Sequence, residues 1–223
     1  DRIAFMRLCS GRLTKGMKAK LVRTGKIVGL HAPQFFFAQD RSIATEAYAG
    51  DVVGIPNHGL LRIGDTLTEG EELSFTGVPN FAPELLRRVR VGDAMKGKKL
   101  REALQELAEE GVVQLFAPID GSNLVIGVVG ALQLDVLADR LRAEYGLDTT
   151  LETAGLELAR WISADDAALL SGFVEKNRFT IALDVDGDPV FLARSSFDLK
   201  WSLDHNPGIR FTDIKETQRR AAR

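Results

Sequence analysis

The hydrophobic positions follow two different periods along the chain. Up to about residue 75, short apolar runs alternate with glycines, which is typical of short strands. Beyond residue 98, apolar residues recur every three or four positions between strand-like runs, which indicates amphipathic helices alternating with strands. The chain is therefore predicted to consist of two modules, residues 1–78 and 79–223.

The first module is predicted to be a small antiparallel β-barrel. Glycines punctuate its strand-like runs, which cover residues 3–10, 20–23, 26–31, 42–47, 52–55 and 65–67. Closing short strands into a barrel removes the exposed edges that an open sheet would present to other chains. The three consecutive phenylalanines at 35–37 are interpreted as core residues rather than as a stacking surface.

The second module is predicted to be an α+β domain with a ferredoxin-like βαββαβ order. Strands are predicted over 81–91, 112–119, 124–129 and 149–161, and helices over 98–110 and 131–145. The turn-forming residues 120–123 make the two middle strands a hairpin. In this arrangement two helices cover one face of the sheet, and its other face is free to meet a partner or a further piece of the chain.

A C-terminal α/β extension is predicted to enlarge this domain. It comprises helices over 165–177 and 196–206, and a hairpin of strands 180–185 and 190–194 around Asp186 and Gly187. Residues 215–223 have little to bury, so fraying is expected there.

The segment 75–91 is predicted to join the two modules. Gly77, Pro79 and Pro83 interrupt any regular ladder or helix, so they are the candidate interdomain hinge. The predicted first strand of the second module starts within this segment, so we expect a short and partly rigid coupling.

Composition favours a cytoplasmic setting. The chain has one cysteine, which excludes an internal disulfide, and it has no apolar run long enough for a membrane span. It starts at Asp1 without a signal peptide, so we expect a fragment of a longer protein. A monomer is the default expectation.

Positive charge is concentrated near the start of the chain, although the formal net charge is only −2. Residues 2–26 contain eight Lys and Arg residues and no Asp or Glu. Such a run is compatible with binding of a polyanion and, about equally, with a solvated barrel rim. Spacing alone leaves both interpretations open.

No catalytic, cofactor-binding or metal site is predicted from motifs. Residues 92–99 approach a phosphate-binding P-loop, but Lys99 stands where a magnesium-binding hydroxyl is required, so a helix start is favoured. Asp184, Asp186 and Asp188 alternate like calcium ligands but lack the closing glutamate, so a hairpin tip is favoured. The three histidines lack ligand spacing. Cys9 is interpreted as a small buried residue.

Several motifs resemble those of the translational GTPases. The first module has their second-domain pattern in 2–13, 15–17, 49–55 and 63–67. Residues 130–136 are similar to a signature in the third domain of elongation factor G, with Gln133 in place of the usual His and Asp135 in place of the usual Glu. These two departures, together with residues 78–85 and 109–111, resemble the pattern of the peptide chain release factor 3 family. The resemblance extends over nearly the whole chain.

The resemblance implies a role in translation termination. Members of this family use GTP on the ribosome to drive class I release factors off after the peptide has been freed. The family's GTPase domain, with GTP or GDP and Mg²⁺, would lie upstream and contact these two domains, so neither hydrolysis nor a cofactor is expected here. The ribosome, through small-subunit rRNA and ribosomal proteins, is the expected partner, and Arg7, Arg12, Lys15 and Lys18 are the candidate rRNA contacts.

Two alternatives remain open at this point. One keeps the class but assigns a fragment of an elongation factor G-like or ribosomal protection factor. The other is a small-ligand-binding regulatory module, because ferredoxin-like sheets also bind metabolites and a fold does not fix a function.

Overall fold

The computed structural model describes residues 2–37, 40–43, 45–75 and 79–215. They fall into two compact units, unit 1 within Asp1–Val78 and unit 2 within Pro79–Glu216. No helix in the described part of the chain is long and apolar enough to cross a membrane.

Unit 1 consists of short antiparallel strands in its described residues. They are β1 (Arg2–Arg7), β2 (Arg12–Thr14), β3 (Lys18–Leu21), β4 (Lys26–Gly29), β5 (Gln34–Phe37), β6 (Asp40–Ile43), β7 (Glu46–Tyr48), β8 (Val52–Asn57) and β9 (Leu67–Thr68). They pair in the orders β1-β8-β5-β6, β2-β7 and β4-β3-β9. The predicted class of short antiparallel strands is confirmed, while closure into one barrel stays a prediction.

One hydrophobic core serves all three sheets of unit 1. Strand alternation turns Leu13 of β2, Ala47 of β7 and Ala19 of β3 inward, and each is at most 5% exposed. Phe35 packs against this core; the side chains of Phe36 and Phe37 lie outside the described residues. The strands β2 and β5 escaped prediction, because one has only three residues and the other has no alternation.

Unit 2 combines a large sheet with four helices. Its strands are β10 (Asn80–Phe81), β11 (Leu85–Val91), β12 (Gln114–Pro118), β13 (Val125–Val128), β14 (Thr149–Thr153), β15 (Leu158–Ser163), β16 (Ile181–Leu183), β17 (Pro189–Ala193), β18 (Arg210–Thr212) and β19 (Ile214–Lys215). Its helices are α1 (Gly97–Glu109), α2 (Ala131–Tyr145), α3 (Ala167–Lys176) and α4 (Ser196–His205). Eight strands form one sheet in the order β14-β11-β13-β12-β16-β17-β15-β18.

The first half of unit 2 follows the order β11-α1-β12-β13-α2-β14, consistent with the predicted ferredoxin-like domain. The apolar face of each helix explains how the two helices pack on the sheet. Leu100, Leu104 and Leu107 of α1 meet Leu137 and Leu141 of α2 over the sheet. A fully buried leucine contributes roughly 1.5–3 kcal/mol relative to an exposed one, so this cluster holds the helices firmly.

The second half of unit 2 covers the face of the sheet that was predicted to be free of helices. Leu86, Phe116 and Val125 point away from α1 and α2 and pack against Trp161 and Val190 of the added strands. On the far side of those strands, α3 and α4 bury Phe173 and pack Leu199 around Phe191. The predicted hairpin around Gly187 is confirmed by the antiparallel pairing of β16 with β17.

Three local expectations were wrong. The run 81–91 is not one strand, because Pro83, which has no N–H for a ladder, separates β10 from β11. Cys9 is exposed, since β1 ends at Arg7 before reaching it. Lys215 does not fray, because β19 pairs with β10. Residues 216–223 lie outside the described residues.

Candidate nucleic-acid interface

The basic stretch of unit 1 runs through several strands rather than along one. Arg7 ends β1, Arg12 begins β2, Lys15 lies in the turn after β2 and Lys18 begins β3, and all four are exposed. The loops that follow β1 and β7 are joined by hydrogen bonds from the Leu8 N–H to the Asp51 oxygen and from the Gly50 N–H to the Leu8 oxygen. The ladders that carry Arg7 and Arg12 are therefore linked.

Arg12 stands on the outer face of the β2-β7 ladder. Its register partner is Tyr48, while the neighbouring pair of Leu13 and Ala47 is buried and fixes both strands to the core. The Arg12 Nη1 lies 3.5 Å from the Glu46 Oε1, and the Tyr48 hydroxyl donates to the Glu46 Oε2 over 2.7 Å. The hydrogen bond to Glu46, and the negative charge of Glu46, raise the pKa of Tyr48, so the phenol remains a donor to higher pH.

The lysines are held by backbone contacts and extend toward solvent. The Lys15 N–H donates to the Thr45 oxygen over 3.1 Å, and Gly16 completes the turn at φ +82°, a conformation that favours glycine. Lys18 alternates with the buried Ala19, so it lies on the solvent side of β3. Lysine ammonium groups presented in this way attract phosphate without needing fixed geometry.

Arg23 is already committed within unit 1. Its guanidinium makes two bonds to the carboxylate of Asp65, of 2.6 and 2.9 Å, and a third to the Leu60 oxygen. Asp65 also accepts from the Arg62 N–H over 2.8 Å. The basic run has no acid within 2–26, yet β7 brings Glu46 to Arg12 and the loop before β9 brings Asp65 to Arg23.

Two family models match successive parts of this chain. A family model described as class II release factor RF3, C-terminal domain, matches residues 75–203, which is more than half of the chain's 223 residues. The chain belongs to the class II release factor RF3 family. A second model, elongation factor G domain 2, matches residues 1–70. The resemblance identified from the motifs is thereby confirmed.

A solved structure shares the fold of this RF3-family chain. A crystal structure of a Thermus thermophilus protein matches 74% of the chain with a TM-score of 0.57 and 25% sequence identity. The chain spans only 25% of that protein's length.

The candidate hinge residues of the RF3-family chain occupy different settings. Gly77 lies outside the described residues and Pro79 is exposed, whereas Pro83 is buried between β10 and β11. A Cβ on Gly127 of β13 would lie 2.5 Å from the Pro83 Cγ, so the proline ring fills the space above that glycine. A bend at these three residues stays a prediction.

One acidic cluster of unit 2 could hold a cation, and it already contains one from the chain. Asp184, Asp186 and Asp188 each offer a carboxylate oxygen, all within 4.8 Å of one another. The Lys215 Nζ lies 2.6, 2.8 and 2.7 Å from these three carboxylates. Burial opposes the charged ammonium, but the three carboxylates outweigh it and raise the pKa of Lys215. Trp161 also donates its indole N–H to Asp184 over 2.9 Å.

The P-loop-like segment 92–99 is the start of a helix, as predicted. Its Asp93 carboxylate accepts from the Met95 N–H over 2.9 Å and caps a 3₁₀ turn (Ala94–Lys96) that leads into α1. The carboxylate thus takes up one of the N–H groups that a phosphate would need at the start of this turn.

Sequence reasoning missed Glu46 and Tyr48. Both flank the buried Ala47, so strand alternation alone could have placed them on one exposed face. Their pairing with Arg12 depends on the β2-β7 register across 34 residues, and no local pattern encodes that.

Proposed function

We propose that this chain is the ribosome-binding part of a translation termination GTPase that promotes dissociation of class I release factors after peptide release. Its membership of the RF3 family carries the proposal. Its setting is the cytoplasm, and its main partners are small-subunit rRNA, ribosomal proteins and a GTPase domain of the same protein, which holds GTP or GDP and Mg²⁺.

In this proposal, unit 1 binds the small subunit through Arg7, Arg12, Lys15 and Lys18. The exposure of all four, and the hydrogen bonds that link the ladders of Arg7 and Arg12, support this assignment, because cations that reach phosphates release counterions and bind with strong salt dependence. Unit 2 passes a nucleotide-driven movement from the GTPase domain onward as a packed body.

The first experiment measures binding of the chain to purified small ribosomal subunits over a range of salt concentrations. Lys15→Glu with Lys18→Glu should weaken binding at least tenfold at low salt. The slope of log affinity against log salt should fall by about one per lost phosphate contact. The matched control is Lys96→Glu with Lys99→Glu, an equal charge change at exposed lysines of unit 2. Equal losses in both pairs would refute the assignment to unit 1.

The second experiment tests release-factor recycling with a protein that carries the GTPase domain. Pro79→Gly should loosen the joint predicted at Gly77, Pro79 and Pro83, and thereby slow GTP-dependent removal of a class I release factor from ribosomes after peptide release. Binding to the small subunit should stay unchanged. Recycling at the normal rate would argue against the hinge, and no recycling by the unsubstituted protein would refute the termination role.

A further inference from the structure

Two hydrogen-bond donors on the outer face of unit 1 converge on a single carboxylate. Glu46 accepts from the Tyr48 hydroxyl through one oxygen, and its other oxygen faces the Arg12 guanidinium. Both donors belong to the β2-β7 ladder and are direct register partners. Glu46 therefore marks a point at which this ladder binds negative charge.

The contact between Arg12 and Glu46 is loose. Its distance of 3.5 Å exceeds the 2.7–2.9 Å of a strong charge-assisted hydrogen bond, and the two side chains are 57% and 45% exposed. Exposed ion pairs of this kind contribute little to stability. A competing anion that also accepts from the Tyr48 hydroxyl can therefore displace Glu46 at little cost.

A phosphodiester suits these donors better than the carboxylate does. A guanidinium binds two phosphate oxygens side by side, which the single long contact to Glu46 does not provide. The tyrosine hydroxyl can donate to the same phosphate. The turn beyond Tyr48 is held by the Tyr48 N–H, which donates to the Asp51 carboxylate over 2.8 Å, so the backbone that carries the phenol does not depend on Glu46.

We infer that Arg12 and Tyr48 form a binding site for an RNA phosphodiester, and that Glu46 occupies this site until RNA displaces it. The inference rests on the proposed function, which brings unit 1 to small-subunit rRNA. It adds Tyr48 as a ligand and Glu46 as a competitor, and it predicts that removing these two groups has opposite effects on RNA binding.

The decisive variant is Glu46→Gln, measured by binding of the chain to small ribosomal subunits at low salt. Removing the competitor should tighten binding about two- to fivefold, the factor that corresponds to a surface pair of up to about 1 kcal/mol. Tyr48→Phe should weaken binding by a similar factor. Glu69→Gln, an equal charge change at another exposed acid of unit 1, should leave the affinity unchanged.

The same variant combined with Arg12→Gln separates competition for Arg12 from a general gain in positive charge. If Glu46 acts by holding Arg12, Glu46→Gln should have little effect once Arg12 is gone. An undiminished gain in that background would overturn the inference. A gain on intact subunits but not on protein-free small-subunit rRNA would also overturn it, because the ligand would then be an acidic ribosomal protein.

Failure of the inference and failure of the proposed function give different results. If the Lys15 and Lys18 variant weakens binding but Glu46→Gln does not tighten it, only the inference fails. If the unsubstituted chain does not bind small subunits at any salt concentration, both are overturned.

Discussion

Two ion clusters of this protein use the same kinds of charge for opposite purposes. In unit 2, Lys215 is 14% exposed and bonded to three carboxylates within 2.8 Å. In unit 1, Arg12 is 57% exposed and 3.5 Å from one carboxylate. The first cluster surrounds its cation with three acceptors from the chain itself, while the second leaves its cation available to another anion.

Burial explains the difference. Removing one member of a fully buried ion pair costs about 3–5 kcal/mol because uncompensated charge remains, whereas an exposed pair is worth about 0–1 kcal/mol. The Lys215 cluster lies toward the buried end of this range, although its Asp186 and Asp188 carboxylates are 41% and 36% exposed. The pair of Arg23 and Asp65 is intermediate, since Asp65 is 8% exposed and Arg23 is 36% exposed. The three clusters form a series in which the cost of substitution should follow burial.

The largest effect is expected for Lys215→Met. The methionine keeps the length of the side chain but leaves three clustered carboxylates without their ammonium. Because water screens Asp186 and Asp188, unit 2 should lose about 2–3 kcal/mol of unfolding free energy, less than a fully buried pair would. Urea unfolding followed by the fluorescence of the two tryptophans, Trp161 and Trp201, both of which lie in unit 2, measures this loss. Lys200→Met, at an exposed lysine of α4, is the control and should cost under about 0.5 kcal/mol. Equal losses in both variants would mean that burial does not set the scale.

The same cluster should respond to pH in one direction only. Because the folded pKa of Lys215 is raised above its ordinary value of 10.5, its stabilisation is fully present below that value and is lost as pH rises through the higher folded pKa. The difference in unfolding free energy between the unsubstituted chain and Lys215→Met should therefore stay constant from pH 8 to 10 and shrink above about 10.5. A difference that shrinks already between pH 8 and 9 would contradict the assigned ammonium.

Arg23→Ala should have an intermediate effect. It removes two bonds to Asp65 and one to the Leu60 oxygen, and it leaves a mostly buried carboxylate. We expect a loss of about 1–2 kcal/mol in unit 1, given the partial exposure of the arginine. Thermal unfolding by circular dichroism measures it, with Lys26→Ala in exposed β4 as the control. A loss as small as that of the control would contradict the expectation that the cost of substitution follows burial.

The series also explains what the sequence could predict. Helices α1 and α2 follow from leucines spaced by three and four residues, and the hairpin of β16 and β17 follows from Asp186 and Gly187, because these signals act within a few residues. The basic run at residues 2–26 could likewise be identified from the sequence, because its residues are close together in the chain.

The partners of the charged residues were not predictable. Lys215 reaches Asp184 across 31 residues, and Arg12 reaches Glu46 across 34. These contacts depend on sheet register and on the pairing of β19 with β10, which tertiary packing decides. The expectation of fraying at 215 was wrong because it counted only apolar burial and overlooked the three carboxylates.

The smallest effect is expected at the exposed cluster, where Glu46→Gln should change the unfolding free energy by under about 0.5 kcal/mol. It should nevertheless alter the ionisation of its neighbour. The hydrogen bond to the Glu46 carboxylate raises the pKa of Tyr48, so the variant should bring that pKa down toward the ordinary value of 10.0. Absorbance of tyrosinate during an alkaline titration measures the shift, and subtraction of the Tyr48→Phe curve removes the signal of Tyr145. An unchanged midpoint would mean that Glu46 does not accept from Tyr48 in solution, and the exposed cluster would then lack the anion that distinguishes it from an ordinary basic surface.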